Sequence, residues 1–223
     1  MHRPKKQELE SFCNGMYEMY NFIKEVDPDL ILFPLRGAYP FGVSYEKITE
    51  LKGEEPIDHL YLAIGTLYDI ENRRIRGSTV PEKEEVIEEE LLIYLTNNPE
   101  TRRILLIDEV MNGGTIRKNL KIIRKVINRL VGVKQENGES RNGLEIRVCA
   151  IEDENHTPEQ HYINRAKKYG FHRIKVPLFV MDNEEYLPRI IRYGRGSKKI
   201  EVQTEEKKLK FILEAIEGKM SAP

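Results

Sequence analysis

The sequence contains few cysteines and lacks any long apolar run. Cys13 and Cys149, the two cysteines among 223 residues, cannot form a disulfide framework or a four-cysteine metal site. No apolar stretch approaches the roughly 18 residues that a membrane-spanning helix needs. The basic N-terminus is not followed by the apolar segment of a secretory signal. We therefore expect a cytoplasmic protein with no membrane segment.

Neither sign of charge is in excess. The chain has 36 lysines and arginines against 37 aspartates and glutamates, which gives a formal net charge of −1 at pH 7. This balance excludes a globally basic nucleic-acid-binding protein and also a disordered acidic chain. A site for a polyanion must therefore be formed by a local cluster of cations.

Short apolar runs alternate with segments whose apolar residues recur every three or four positions. The runs predict strands at residues 30–33, 59–65, 104–107, 144–151 and 174–180. The periodic segments predict helices at residues 7–26, 43–51, 82–97, 116–131, 158–169 and 204–216. This alternation predicts an α/β fold with a parallel sheet flanked by helices on both faces. Such sheets bind ligands at the carboxyl ends of their strands.

Three loops follow predicted strands and are candidates to line one crevice: 34–42, 69–83 and 108–115. In the last of these, Asp108 and Glu109 come directly after a buried strand, and Gly113-Gly114 leads into a helix at Thr115. Glycines and a helix start offer backbone N–H groups to an anion, while carboxylates suit the hydroxyls of a sugar. The loop is therefore either a sugar-phosphate site or a tight strand-to-helix turn, with both acids exposed at the strand end in either case.

Residues 104–116 resemble the phosphoribosyl-pyrophosphate-binding signature of the type I phosphoribosyltransferases. That signature is an apolar strand, two acidic residues, a few mixed residues and a Thr-Gly-Gly-Thr turn or a close variant. Here residues 111–115 read Met-Asn-Gly-Gly-Thr, which is one residue shorter and lacks the first threonine. Residues 34–41, Pro-Leu-Arg-Gly-Ala-Tyr-Pro-Phe, resemble the family's pyrophosphate loop, with alanine in place of a glycine. The resemblance covers roughly residues 28–155 and implies the family's parallel sheet.

The resemblance implies which residues carry the chemistry. The catalytic residues would be Asp108, Glu109 and Asn112. The two acids would bind the ribose 2′- and 3′-hydroxyls, and would hold Mg²⁺, the expected cofactor, through the ribose or through water. Asn112 stands where the family commonly has an aspartate that helps to handle protons.

The resemblance also implies two phosphate sites. The residues expected at the 5′-phosphate are Asn112, Gly113, Gly114 and Thr115. The residues expected at the pyrophosphate are Arg36, Gly37 and Ala38. An arginine fork binds phosphate through two parallel hydrogen bonds, which suits Arg36 to this role.

Two other segments leave alternatives open. Arg73, Arg74 and Arg76 lie on the long loop at 69–83, which is either a lid over the leaving group or an ordinary solvated loop. Candidates for the acceptor site are Met181, Asp182 and Tyr186, which would frame a planar base by stacking and a polar contact. The alternative is that these three residues lie at the end of a strand and the start of a helix and have no binding role.

One predicted helix carries a strongly basic face. Residues 116–134 include seven lysines and arginines and no acid. They are Arg117, Lys118, Lys121, Arg124, Lys125, Arg129 and Lys134. This face is either a solvated helix surface or a surface for nucleic acid or another partner. A nucleic-acid partner at the basic helix 117–134 is thus an alternative, although it is not what we expect.

The resemblance favours a phosphoribosyltransferase that moves a phosphoribosyl group from phosphoribosyl pyrophosphate to a nitrogen acceptor, such as a nucleobase, and releases pyrophosphate. The alternative is a non-catalytic relative that senses phosphoribosyl pyrophosphate or a nucleotide and acts through a protein or nucleic-acid partner. Family members are often homodimers. We expect an N-terminal helix at 1–27, the α/β core at 28–182 and a C-terminal extension packed on the core at 183–223, so that helical additions flank the core.

Overall fold

The computed structural model describes residues 4–35, 37–62, 67–69, 81–110, 114–136, 143–178, 189–192, 200–203 and 209–220. For 67–69, 81–83, 114–115, 131–136, 189–192 and 200–203 it describes the backbone alone. The helices are α1 (Lys6–Val26), α2 (Tyr39–Lys52), α3 (Pro81–Asn97), α4 (Gly114–Glu136), α5 (Gln160–Tyr169) and α6 (Lys210–Met220). The strands are β1 (Leu30–Pro34), β2 (His59–Leu62), β3 (Leu67–Asp69), β4 (Arg103–Val110), β5 (Glu145–Asp153), β6 (His172–Val176), β7 (Arg189–Arg192) and β8 (Ile200–Gln203).

Five of the strands form one parallel sheet. Their order is β2-β1-β4-β5-β6, and every neighbouring pair in it is parallel. Helices lie on both faces of the sheet, which confirms the predicted α/β class. The chain moves from β1 to β2 on one side and then to β4 on the other side of β1. The order therefore reverses between β1 and β4, the point at which open α/β sheets bind ligands.

The alternation of side chains along each strand separates the core into two layers. In β4, Leu105 and Ile107 join a cluster covered by α1, α2 and α6. The neighbouring residues Ile104 and Leu106 join a second cluster, which is covered by α3, α4 and α5. Because both faces of the central strands are buried, they read as continuous apolar runs. The two cysteines are free, buried thiols.

The predicted helical additions are present at both ends of the chain. α1 matches the prediction closely, and α6 begins at Lys210, six residues later than predicted. The buried side chains of α1 and α6, among them Phe12, Ile212 and Ile216, belong to the same hydrophobic cluster as Leu105 and Ile107 of β4. The C-terminal part also contains two unpredicted strands, β7 and β8, which join β3 in a three-stranded sheet. Among the described residues, no helix combines the length and the apolar character that crossing a membrane requires.

Two element boundaries change the geometry of the predicted loops. α2 begins at Tyr39, four residues before the predicted start, and Pro40 falls in its first turn, where the missing N–H costs nothing. β4 does not end at Ile107 but continues to Val110, because Asp108 and Glu109 pair with Ala150 and Ile151 of β5. The acids therefore belong to the strand and obey its alternation.

A buried ion pair joins β5, β6 and α5. The Glu152 side chain is fully buried, and Arg173 binds both of its oxygens, with Nη2 donating to Oε2 at 2.8 Å. The Tyr162 hydroxyl donates to Glu152 Oε1 at 2.9 Å. The Glu152 carboxylate is committed to these contacts. Its role is therefore structural.

We expect Arg173→Ala to destabilise the protein by about 3 kcal/mol, because it leaves the buried Glu152 carboxylate uncompensated. Arg147→Ala is the matched control, since it removes an ion pair with Glu145 in which both side chains are about half exposed. The control should change stability by no more than about 0.5 kcal/mol. Urea unfolding at pH 7 measures both, and equal effects would contradict the structural role of Glu152.

Candidate active site at the β1–β4 crevice

The two loops singled out in the sequence meet at the switch point of the sheet. Gly37 follows β1, and Glu109 lies near the end of β4, the neighbouring parallel strand. A Cβ atom at position 37 would overlap the carboxyl group of Glu109, so the glycine backbone and this carboxylate are in close contact. A larger residue at position 37 would therefore have to displace the end of the Glu109 side chain. The predicted pyrophosphate loop and the predicted ribose-binding acid therefore share one crevice.

Asp108 and Glu109 face opposite sides of the sheet, because they are consecutive residues of β4. Glu109 is partly exposed on the side of Leu105 and Ile107, whereas Asp108 is 1% exposed on the side that α4 covers. The expectation that both acids are exposed at the strand end is thus wrong for Asp108. Only Glu109 of the pair presents its carboxylate to the crevice.

The buried Asp108 carboxyl group is held next to an amide of α4. Asn119 Nδ2 donates to Asp108 Oδ2 at 3.1 Å, and Asn119 is itself fully buried. Burial raises the pKa of Asp108 well above its ordinary value, and the nearby Glu109 charge raises it further. Hydrogen bonds from Asn119 and from the Glu109 backbone oppose this shift but do not outweigh it. Burial therefore favours the protonated, neutral form of the Asp108 carboxyl group.

The start of α2 forms the β1 side of the crevice. The helix begins directly after Gly37 and Ala38, so its positive dipole end lies beside the Glu109 carboxylate. The Ala38 N–H, which we expected to donate to pyrophosphate, donates instead to the Pro34 carbonyl oxygen at 3.0 Å. That hydrogen bond fixes the turn between β1 and α2.

Sequence reasoning missed a hydrogen-bonded trio beside this turn. Glu46 Oε1 accepts from the Tyr61 hydroxyl at 2.6 Å and lies 2.8 Å from His59 Nε2. Burial opposes ionisation of Glu46, but these hydrogen bonds outweigh it and lower its pKa, while contact with Glu46 raises the pKa of His59. Gly42 allows the Tyr61 ring to approach α2, since a Cβ atom there would overlap the ring. The trio thus ties β2 to α2, and no spacing in the sequence indicates it.

Several predicted site residues lie outside the described part of the chain. Gly114 opens α4, and its backbone alone is described, as is that of Thr115. The residues for which nothing is described are Arg36, Arg73, Arg74, Arg76, Asn112, Gly113, Met181, Asp182 and Tyr186. Their assigned roles remain predictions.

No family model and no curated protein matches the chain. Among solved structures, the chain is similar to a purine phosphoribosyltransferase from Pyrococcus horikoshii Ot3. The identity is 11% over 85% of this chain and 89% of that chain, with a TM-score of 0.35. A likeness this distant carries no information about activity. The function therefore has to follow from the residues of the crevice.

Replacing Asp108 with asparagine should have an effect on stability that depends on pH. The folded protein retains a proton on Asp108 that the unfolded chain releases above about pH 3.9, the ordinary aspartate value. Wild-type stability therefore falls as pH rises from that value toward the raised pKa of Asp108. Asparagine matches the neutral acid in shape and does not titrate.

We expect the stability of Asp108→Asn relative to wild type to increase between pH 4.5 and pH 8. Urea unfolding of both proteins across this range measures the difference, in which the titration of all other groups largely cancels. A difference that stays constant, or that falls with rising pH, would show that Asp108 is ionised in the folded protein.

Proposed function

We propose that the β1–β4 crevice binds phosphoribosyl pyrophosphate and that the protein transfers its phosphoribosyl group to a nitrogen acceptor. The observation that carries this proposal is the contact between Gly37 and Glu109. It joins a loop suited to a phosphate and a carboxylate suited to ribose hydroxyls at the ligand-binding point of a parallel sheet. The resemblance of residues 34–41 and 104–116 to the family's two binding loops supports the same ligand.

Glu109 is the residue that would recognise the ribose. Its carboxylate can accept hydrogen bonds from two neighbouring hydroxyls, and hydrogen bonds to a charged acceptor are strong. Asp108 would not bind the ribose as the resemblance implies, because its carboxyl group is buried on the side of the sheet that α4 covers. Through its position in β4 and its hydrogen bond with Asn119, it fixes the end of the strand that carries Glu109.

The carboxylate of Glu109 also fits the expected metal. Within the described ranges, no group of three or more His, Cys, Asp or Glu side chains could hold a metal ion by itself. Mg²⁺ commonly binds through one or two carboxylates and takes its other ligands from substrate phosphates and water. Glu109 would therefore hold Mg²⁺ together with the bound substrate, directly or through water. When bound, Mg²⁺ would neutralise charge that develops on the departing pyrophosphate.

Transfer breaks the bond between ribose C1 and the pyrophosphate oxygen and forms a bond from C1 to the acceptor nitrogen. The ribose passes through an oxocarbenium-like state, which the negative charge of Glu109 would stabilise electrostatically. The pyrophosphate leaves as an anion toward the start of α2, whose dipole favours negative charge. Arg36, which adjoins Gly37 in the sequence, would bind it there.

One observation favours the non-catalytic alternative. Because Asp108 is buried on the other face of the sheet, Glu109 is the one carboxylate of the pair on the crevice side for ribose and metal. A site of this kind could bind phosphoribosyl pyrophosphate or a nucleotide without promoting transfer. Binding and turnover must therefore be measured separately.

Isothermal titration calorimetry with phosphoribosyl pyrophosphate, with and without Mg²⁺, tests the site. We expect Glu109→Gln to weaken binding at least about tenfold, because it removes a charged hydrogen-bond acceptor. Gly37→Ala should also weaken binding, since its Cβ atom displaces the Glu109 carboxylate. Gly218→Ala in α6 is the matched control, because a Cβ atom there meets nothing within 4 Å. Wild-type affinity in Glu109→Gln, or no binding by wild type, would contradict the proposal.

Release of pyrophosphate in the presence of purine and pyrimidine bases separates the two alternatives. An enzyme should release pyrophosphate only when its acceptor is present, and Glu109→Gln should abolish that release. Tight binding of phosphoribosyl pyrophosphate without release for any base would identify the protein as a sensor.

A further inference from the structure

A basic groove runs between α4 and α5 on the outer side of the second helix layer. Its volume is about 1110 Å³. Its lining includes the cations Arg117, Lys118, Lys121, Arg124 and Arg165 and the aromatic ring of Tyr169. We call this surface the α4–α5 groove. It is separate from the β1–β4 crevice, because Glu109 lies on the opposite face of the sheet from these helices.

Acids neutralise some but not all cations of the groove, since Lys125 and Arg129, which also line it, are paired. Among the residues that the structure describes, Arg117, Lys121 and Arg124 form no ion pair and are exposed to solvent. Glu88 of α3 is 3% exposed and is paired with Lys125 at 2.6 Å and with Arg129 at 3.7 Å. α5 contains no acidic residue. The groove therefore keeps a positive field although the whole chain is nearly neutral.

The cations of α4 are arranged as a line. Arg117, Lys121 and Arg124 are separated by four and then three residues, which places them on one side of the helix. The line is about 10 Å long at 1.5 Å per residue. Arg165 of α5 faces it from the other wall of the groove. A linear row of cations suits a polymer of phosphates better than a single small anion.

An exposed aromatic ring lines the same groove. Tyr169 is 52% exposed, although it is a large side chain at the end of α5. Its ring packs in a stacked arrangement against Phe171, with centroids 6.3 Å apart, and Lys168 Nζ lies 5.5 Å from its centroid. The ring thus contacts two neighbouring side chains, and about half of the residue remains exposed to solvent. Cations that follow a phosphate backbone and an aromatic ring that stacks on bases are the two features of single-strand binding sites.

We propose that the α4–α5 groove binds single-stranded nucleic acid, with its phosphates along α4 and a base stacked on Tyr169. The row of cations and the exposed Tyr169 ring together favour single-stranded nucleic acid over two other kinds of partner. An acidic protein segment would satisfy the cations but would offer no base to Tyr169. A duplex would present phosphates but would keep the faces of its bases stacked on one another.

Fluorescence anisotropy with a labelled single-stranded RNA of mixed sequence tests the groove at several salt concentrations. In a plot of log Kd against the logarithm of the salt concentration, we expect a slope of about 3, because four phosphate contacts to a single strand would give this value. Lys121→Glu/Arg124→Glu should weaken binding at least about tenfold and lower this slope by about 1.4. Tyr169→Ala should weaken binding about fivefold or more while leaving the slope unchanged.

The matched control is Lys6→Glu/Lys210→Glu, which makes the same change in net charge on exposed lysines of α1 and α6. It should bind RNA as wild type does. Equal losses of RNA affinity in the two double variants would contradict the proposed binding site, since binding would then depend on net charge alone. Tighter binding of a duplex of the same sequence, or equal binding of poly-glutamate, would overturn the assignment to a single strand.

Discussion

The parallel pairing of β1 with β4 is the constraint on which the site depends. Leu30, Ile31 and Leu32 pair with Ile104, Leu105 and Leu106, and both strands are buried on both faces. This pairing brings the chain around Gly37 beside Glu109, 72 positions later in the sequence. No contact within either loop could create that proximity. The crevice is thus a product of core packing, and substitutions that loosen these strands should disturb it before they unfold the protein.

The alternation of the same strand determines how its two acids differ. Because β4 continues to Val110, Asp108 is directed into the layer under α4 and Glu109 toward the crevice. One carboxyl group is buried against Asn119, and the other lies against Gly37 on the crevice side of the sheet. Adjacent residues of similar chemistry thus acquire different roles from burial alone. The same helix layer that covers Asp108 presents the basic groove on its outer side.

The fold was predictable because apolar runs and helical periodicity are local signals. The strands at 30–33 and 104–107 and the helix at 7–26 were predicted within a few residues. The burial of Asp108 was not predictable, since its partner Asn119 is brought to it by the packing of α4. The link between Glu152, Arg173 and Tyr162 likewise depends on tertiary contacts. β7 and β8 were missed because each is a run of four residues with only two apolar positions, which gives a weak strand signal.

A crystal structure of the protein with phosphoribosyl pyrophosphate and Mg²⁺ tests the central claim most directly. The account predicts ribose hydroxyls within hydrogen-bond distance of the Glu109 carboxylate and pyrophosphate beside Gly37 at the start of α2. It also predicts that Asp108 stays buried against Asn119 and does not contact the ligand. Ligand bound elsewhere, or Asp108 turned outward to bind the ribose, would contradict the account.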